Sequence, residues 1–113
     1  MKANGPVDLG RARVLISNDD GINAPGLKIL EKTMRRLARD VWVVAPETEQ
    51  SAAGHSLTLR RPLRVRKLGR RRFAVDGTPT DSVLLAVHNI MRDKPPDIVL
   101  SGINRGANLG EDV

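Results

Sequence analysis

The stretch that decides the fold is Arg13-Val14-Leu15-Ile16-Ser17-Asn18-Asp19-Asp20-Gly21, a short apolar run that stops at a polar turn. A continuous apolar run bounded by turn residues is typical of a strand buried on both faces of a parallel sheet. Two adjacent carboxylates at its end repel each other unless a cation or hydrogen bonds offset the repulsion. The simpler alternative is that one aspartate caps the following turn. The residues therefore predict a first strand and raise the hypothesis of a cation site at its end.

A helix and a second strand follow this turn. Pro25 stands where a first helical turn begins. Apolar residues then recur at spacings of three and four, at Leu27, Leu30, Met34 and Leu37. The apolar run at residues 41–45 predicts a second buried strand. Strand, helix and strand form a βαβ unit with parallel strands, so the predicted fold class is α/β with a mainly parallel sheet.

The second half of the chain departs from this pattern and then returns to it. Residues 57–75 alternate between apolar and basic side chains, which predicts two or three short antiparallel strands. Thr78, Pro79 and Asp81 then form a helix start with Thr78 as the N-cap. The face of this helix that we expect to be buried consists of Val83, Leu84, Val87, Ile90 and Met91. Residues 97–101 predict a third buried strand.

Composition and charge narrow the classes of function. The chain has 113 residues, of which 40% are apolar and 28% charged, as expected for one soluble globular domain. The net charge of +6 is concentrated at residues 60–72, and an aromatic content of 2% leaves few platforms for stacking nucleic-acid bases. Cysteine, a secretion signal and a long apolar span are all absent from the sequence. We therefore expect a cytoplasmic protein with no membrane partner and no dedicated nucleic-acid partner.

Three loops are expected to meet at the carboxyl edge of the parallel strands, at residues 18–23, 46–56 and 102–110. Ligands of open α/β sheets bind at that edge, where loops converge and helix N-termini add partial positive charge. Carboxylate, hydroxyl and amide oxygens suit a hard cation such as Mg²⁺ or Mn²⁺. The candidate metal ligands that these loops offer are Asp19, Asp20, Ser51 and Asn104.

Other motifs fit less well. The sequence contains neither the G-x-G-x-x-G pattern of dinucleotide-binding folds nor a P-loop. Of the two histidines, His55 lies in the polar second loop and is a candidate for binding substrate, as is Asn18 in the first loop. His88 lies inside the second helix and is interpreted as a partly buried helix residue.

Four stretches of the chain carry a resemblance to a known family. They are Ile16-Ser17-Asn18-Asp19-Asp20-Gly21, Gln50-Ser51-Ala52-Ala53-Gly54-His55-Ser56, Asp76-Gly77-Thr78-Pro79-Thr80-Asp81 and Ser101-Gly102-Ile103-Asn104-Arg105-Gly106-Ala107-Asn108. In order and spacing they resemble the signatures of the SurE family of 5′/3′-nucleotidases. The resemblance extends over residues 13–113.

The resemblance implies a Rossmann-like three-layer sandwich, with a small antiparallel excursion at residues 57–75. It implies one divalent cation per subunit, held by Asp19, Asp20, Ser51 and Asn104, and Asn108 near the substrate. The implied reaction is hydrolysis of nucleoside monophosphates, in some members also of short polyphosphate, by cytoplasmic homodimers or homotetramers. Either aspartate of the pair is then a candidate to accept a proton from the attacking water.

The same resemblance bears on domain organisation. Residues 1–12 are interpreted as an N-terminal extension, and residues 13–113 as the amino-terminal part of a SurE-like nucleotidase domain. Members of the family are longer than this chain. We therefore expect a partial chain with an incomplete sheet, which is unstable or dependent on partners and is inactive by itself.

Three other classes of protein remain as alternatives. One is a basic-surface nucleic-acid protein, whose affinity would fall steeply with added salt. A receiver-like or small-ligand-binding module also has an acidic pair after its first strand, but it needs an acceptor aspartate where this chain has Leu100-Ser101-Gly102. A haloacid-dehalogenase-type phosphatase needs two aspartates separated by one residue, whereas here they are adjacent.

Overall fold

The computed structural model describes residues 8–48 and 63–103 of the chain, which contain five strands and two helices. The strands are β1 (Arg13–Ser17), β2 (Asp40–Pro46), β3 (Val65–Gly69), β4 (Arg72–Val75) and β5 (Ile98–Ser101), and the helices are α1 (Pro25–Leu37) and α2 (Pro79–Leu85). A π-helical segment, Ala86–Ile90, continues α2. No helix within these described ranges is both long enough and apolar enough to cross a membrane.

The five strands form one sheet in the order β3-β4-β2-β1-β5. β1 lies between β2 and β5 and is parallel to both. The chain therefore moves from β1 toward β2 and β4, and later returns to the other side of β1 to add β5. This reversal beside β1 is the topological switch point at which open α/β sheets bind their ligands. The prediction of a mainly parallel α/β sheet is confirmed.

The prediction for residues 57–75 is right in part and needs one correction. β3 and β4 do form an antiparallel hairpin, with an irregularity between Lys67 and Gly69. β4, however, also pairs in parallel with β2, so it belongs to the main sheet rather than to a separate excursion. Alternation of apolar and polar residues shows that a segment is a strand but carries no information on the direction of its neighbour. Residues 57–62 lie outside the described part.

Helices cover the sheet on both faces, so the fold has three layers. Val14 and Ile16 of β1 belong to the core cluster that α1 covers with Leu27 and Met34. Leu15, between them, points to the other face and packs in a second cluster with residues of α2 and the π-helical segment. Successive side chains of a strand point to opposite faces of the sheet, and here both faces are covered. All five residues of β1 are therefore buried. The Rossmann-like sandwich that the resemblance implied is confirmed.

Several predictions of buried positions are wrong. Leu37, the last residue of α1, is 52% exposed. Leu84 of α2 and Val99 of β5 are 51% and 49% exposed. β5 is one of the two edge strands of the described sheet and is only partly covered, so the third strand is not buried on both faces.

Opposite the carboxyl edge, an ionic and aromatic cluster closes the amino edge of the sheet. Arg13 is buried, and its Nε lies 3.1 Å from Asp40 Oδ2. Its Nη1 donates a hydrogen bond of 3.2 Å to Asp93 Oδ1, and this bond is the main reason why the pKa of Asp93 is lower than its ordinary value. The guanidinium of Arg13 also lies 5.1 Å from the ring centre of Trp42, which stacks on Phe73. These contacts join the start of β1 to β2 and to the segment before β5.

Candidate functional site

The loop after β1 is held by the side chain that opens it. Asn18 is fully buried, and its Nδ2 donates to the Gly21 carbonyl at 2.9 Å while the Gly21 N–H donates to its Oδ1 at 3.2 Å. Gly21 has a φ of 110°, a conformation that side chains with a Cβ rarely adopt. The two residues therefore force a sharp turn around the acidic pair. The role of Asn18 that this geometry shows is structural, and its predicted contact with substrate stays a prediction.

Asp19 is the described residue that most needs a partner. Its Oδ1 is buried and has no hydrogen-bond partner among the residues that the structure describes. A buried carboxylate oxygen without a partner is costly, and hydrogen bonds or a cation remove that cost. The residue therefore fits a metal ligand at the end of β1. Asp20 is partly buried beside it.

The neighbouring strands lead to the other loops of the predicted site. The Ile22 N–H donates to the Pro46 carbonyl at 2.7 Å, which ties the first loop to the end of β2. The Gly102 N–H donates to the Ser17 carbonyl at 3.0 Å, which ties the end of β5 to the end of β1. All three loops therefore start from one edge of the sheet, as the sequence predicts.

Close packing also joins the first and third loops. Gly26, in the first turn of α1, lies so near Ile103 that a Cβ at residue 26 would be 2.1 Å from the Ile103 carbonyl oxygen. Only glycine allows this approach without movement of the backbone. The contact between Gly26 and Ile103 therefore fixes the distance between the start of α1 and the chain that leaves β5. Ile103 is the residue before Asn104 in the sequence.

Four other predicted site residues lie outside the described residues, namely Ser51, His55, Asn104 and Asn108. In the described ranges, no three carboxylate or imidazole side chains come close enough together to hold a metal ion.

His88 is exposed on the π-helical segment, so its interpretation as a partly buried residue is wrong. Ala86 is the residue of that segment that packs fully into the core, and His88 faces away from it.

A pocket beside the acidic loop was missed by the sequence analysis. It has a volume of about 300 Å³ and lies between the carboxyl ends of β1 and β5 and the first turns of α2. Its lining residues are Ser17, Pro79, Thr80, Val83, Leu84 and Ser101. The Ser17 hydroxyl is buried and has no hydrogen-bond partner within residues 8–48 and 63–103. Two adjacent parallel strands both end in serine, with Ser17 paired to Ser101. This pattern is the sequence signal that could have revealed the pocket.

The start of α2 beside this pocket is as predicted. The Thr78 hydroxyl accepts a hydrogen bond of 3.0 Å from the Asp81 N–H, and Asp81 Oδ2 accepts one of 2.9 Å from the Thr78 N–H. Pro79 occupies the first helical position. This reciprocal capping box orients the first turn of α2 along the wall of the pocket.

Fold and site together define a class of protein. The sheet is mainly parallel, is covered on both faces, and has an acidic loop and a pocket at its switch point. These features are characteristic of Rossmann-like α/β ligand-binding proteins. Comparison with known proteins identifies the family within this class. The family description "Survival protein SurE" matches residues 14–113. The chain belongs to the SurE family.

Individual relatives agree with this assignment. A protein of Paramagnetospirillum magneticum named "5'-nucleotidase SurE" is 74% identical over 94% of this chain, and its namesake from Rhodospirillum rubrum is 65% identical over the same share. The crystal structure of the SurE protein from Aquifex aeolicus superposes with a TM-score of 0.78 at 48% identity, over 88% of this chain. The chain spans about 40% of the length of these relatives.

Proposed function

We propose that this chain contributes the metal-binding and catalytic part of a phosphomonoesterase that hydrolyses nucleoside monophosphates to nucleoside and phosphate. The observation that carries the proposal is the buried Oδ1 of Asp19 at the switch point of the sheet, which has no hydrogen-bond partner among residues 8–48 and 63–103. The relatives named "5'-nucleotidase SurE" support the choice of reaction. Short polyphosphate is a second substrate class consistent with the same chemistry.

The proposed metal ligands are Asp19, Asp20, Ser51 and Asn104. Asp19 fits this role because its oxygen is buried where no described donor reaches it. The mixture of carboxylate, hydroxyl and amide oxygens suits one Mg²⁺ or Mn²⁺ ion per subunit. When bound, such an ion supplies positive charge that polarises a phosphoryl oxygen and offsets charge in the transition state.

The protein's own groups have three tasks in this mechanism. The turn made by Asn18 and Gly21 holds the acidic pair in place. A carboxylate held in this way would orient an attacking water for in-line displacement at phosphorus. Asp19 or Asp20 accepts the proton of that water. Asn108 and His55 are proposed to contact the substrate. We also propose that the full-length protein assembles as a homodimer or homotetramer in the cytoplasm.

The test is phosphate release from 5′-AMP and 3′-AMP with added Mn²⁺. It uses the chain alone and a completed protein, in which the chain is followed by the carboxyl-terminal residues of the Paramagnetospirillum relative. Asp19→Asn removes the charge of a proposed ligand and keeps the size of the side chain. We expect a loss of Mn²⁺ affinity or of kcat/KM of about 100-fold or more, because changes even outside the ligand set cost 10- to 100-fold.

Asp93→Asn is the matched control, since it makes the same chemical change at the opposite edge of the sheet. It is expected to leave Mn²⁺ affinity and rate unchanged. If Asp19→Asn in the completed protein retained both the affinity and the rate, Asp19 would not be a metal ligand and the proposed mechanism would be wrong.

A further inference from the structure

Arg72 is a charged residue at the start of β4 that reaches the acidic loop from another strand. Its Nη2 donates a hydrogen bond of 3.1 Å to the Ile22 carbonyl oxygen, and its Nε donates one of 3.2 Å to Glu31 Oε1. The side chain of Arg72 is 21% exposed and that of Glu31 14%. Both hydrogen bonds therefore lie in a partly desolvated place, where charge-assisted bonds are stronger than at the surface.

Ile22 is the point at which the acidic loop is anchored. Its side chain is fully buried in the core under α1. Its N–H donates to the Pro46 carbonyl and its carbonyl accepts from Arg72, so both of its backbone polar groups are held by other strands. Asn18 and Gly21 determine the shape of the loop, whereas these two bonds determine where the loop lies relative to β2 and β4.

Glu31 in turn orients Arg72. It lies on α1 and receives hydrogen bonds from Arg72 and from Arg35, whose Nε is 3.0 Å from its Oε2. The guanidinium of Arg72 is therefore held between a carboxylate on α1 and a carbonyl of the acidic loop. A planar group with several fixed donors suits such a bridge, and a lysine ammonium does not match both partners in the same way.

We propose that Arg72 is a positioning residue for the metal site, which holds the Asp19–Asp20 loop against β4 through the Ile22 carbonyl. The proposal rests on the metal site proposed above. It predicts that loss of the Arg72 bond moves the acidic pair relative to the ends of β2 and β4. Cation affinity then falls although no ligand has been removed.

Three substitutions in the completed protein separate this role from general stabilisation. Arg72→Met keeps an unbranched apolar stem and removes both donors. Arg72→Lys keeps the charge and one site of donation. Arg35→Met removes the other partner of Glu31 without touching the loop, so it is the matched control. Glu31 keeps one arginine partner in both methionine variants, and neither leaves its carboxylate unpaired.

Two measurements are made on each variant, namely Mn²⁺ affinity by calorimetry and hydrogen exchange of the Ile22 amide by NMR. We expect Arg72→Met to weaken Mn²⁺ binding by about 10-fold, the range found for residues that orient metal ligands, and to speed exchange at Ile22 by a similar factor. Arg72→Lys is expected to show a smaller loss in both. Arg35→Met is expected to match the unchanged protein.

The proposal is overturned if Arg72→Met binds Mn²⁺ and exchanges the Ile22 amide like the unchanged protein. It is also overturned if Arg35→Met shows the same losses, because the charge on Glu31 would then be the cause. If Arg72→Met does not fold, Arg72→Lys gives the decision by the same two measurements. If the unchanged protein binds no Mn²⁺, the proposed function fails, while exchange at Ile22 still tests whether Arg72 holds the loop.

Discussion

The contact between Gly26 and Ile103 gives the sharpest prediction about how the site is assembled. In Gly26→Ala, the added Cβ would lie 2.1 Å from the Ile103 carbonyl oxygen, whereas real Cβ contacts essentially never fall below 3.0 Å. The two segments must therefore separate by about 1 Å. The nearest atoms belong to the backbone of Ile103, so rotation of a side chain cannot relieve the overlap.

The sign of the stability change follows from two opposing terms. Alanine in place of glycine in a helix stabilises by up to about 1 kcal/mol. Overpacking of this kind costs about 1–3 kcal/mol. Because the overlap is with backbone, we expect the second term to dominate, with a net loss of about 1–2 kcal/mol. The loop that leaves β5 toward Asn104 would move with Ile103, and a displacement of about 1 Å in a catalytic group can cost about 100-fold in rate.

The assay is thermal unfolding together with Mn²⁺-dependent hydrolysis of AMP by the completed protein. Gly10→Ala is the control, since the nearest atom to its added Cβ is 3.5 Å away, an ordinary contact. It is expected to leave Tm and rate unchanged. If Gly26→Ala unfolded at the same temperature as the unchanged protein and retained its kcat/KM, the close approach of α1 to the end of β5 would have no role in building the site.

The other predictions concern the walls of the site and the opposite edge of the sheet. Thr78→Ala removes the cap of α2 and is expected to cost about 1 kcal/mol, measured by chemical unfolding; an unchanged unfolding midpoint would mean that the capping box contributes nothing. Asp93→Asn is expected to lower Tm by more at about pH 7 than at about pH 2.5. The bond from Arg13 lowers the pKa of Asp93 in the folded state, so its contribution is fully present above the ordinary value of 3.8 and is lost as the pH falls from there through the lowered pKa. A Tm difference that is the same at both pH values would contradict this assignment.

The sequence was informative where one chain segment determines its own structure. β1 was predicted at the bounds that the structure shows, because an uninterrupted apolar run between polar residues has few alternatives. The start of α2 followed from Thr78, Pro79 and Asp81 alone, since a capping box is a local arrangement. The beginning of α1 at Pro25 was predicted for the same reason.

Features that depend on distant partners were not predictable in this way. Whether β4 pairs in parallel with β2 depends on where the chain travels between them, and nothing within Arg72–Val75 encodes that path. The exposure of Val99 and Leu84 depends on which elements lie beside β5. The bridge from Arg72 to Ile22 joins residues that are 50 positions apart, so no motif could have shown it.

Trp42, in the cluster at the amino edge of the sheet, is an intrinsic fluorescence probe. Trp42 is the single tryptophan of the chain, and it is enclosed by Phe73 and by the guanidinium groups of Arg13 and Arg71. Its indole Nε1 donates to Asp40 Oδ1 at 2.7 Å. Its fluorescence therefore follows the integrity of the edge opposite the acidic loop. If calorimetry shows that a cation binds while the emission stays constant, the response is confined to the part of the protein away from Trp42. A spectral shift on binding would mean that the amino edge of the sheet also adjusts to the ion.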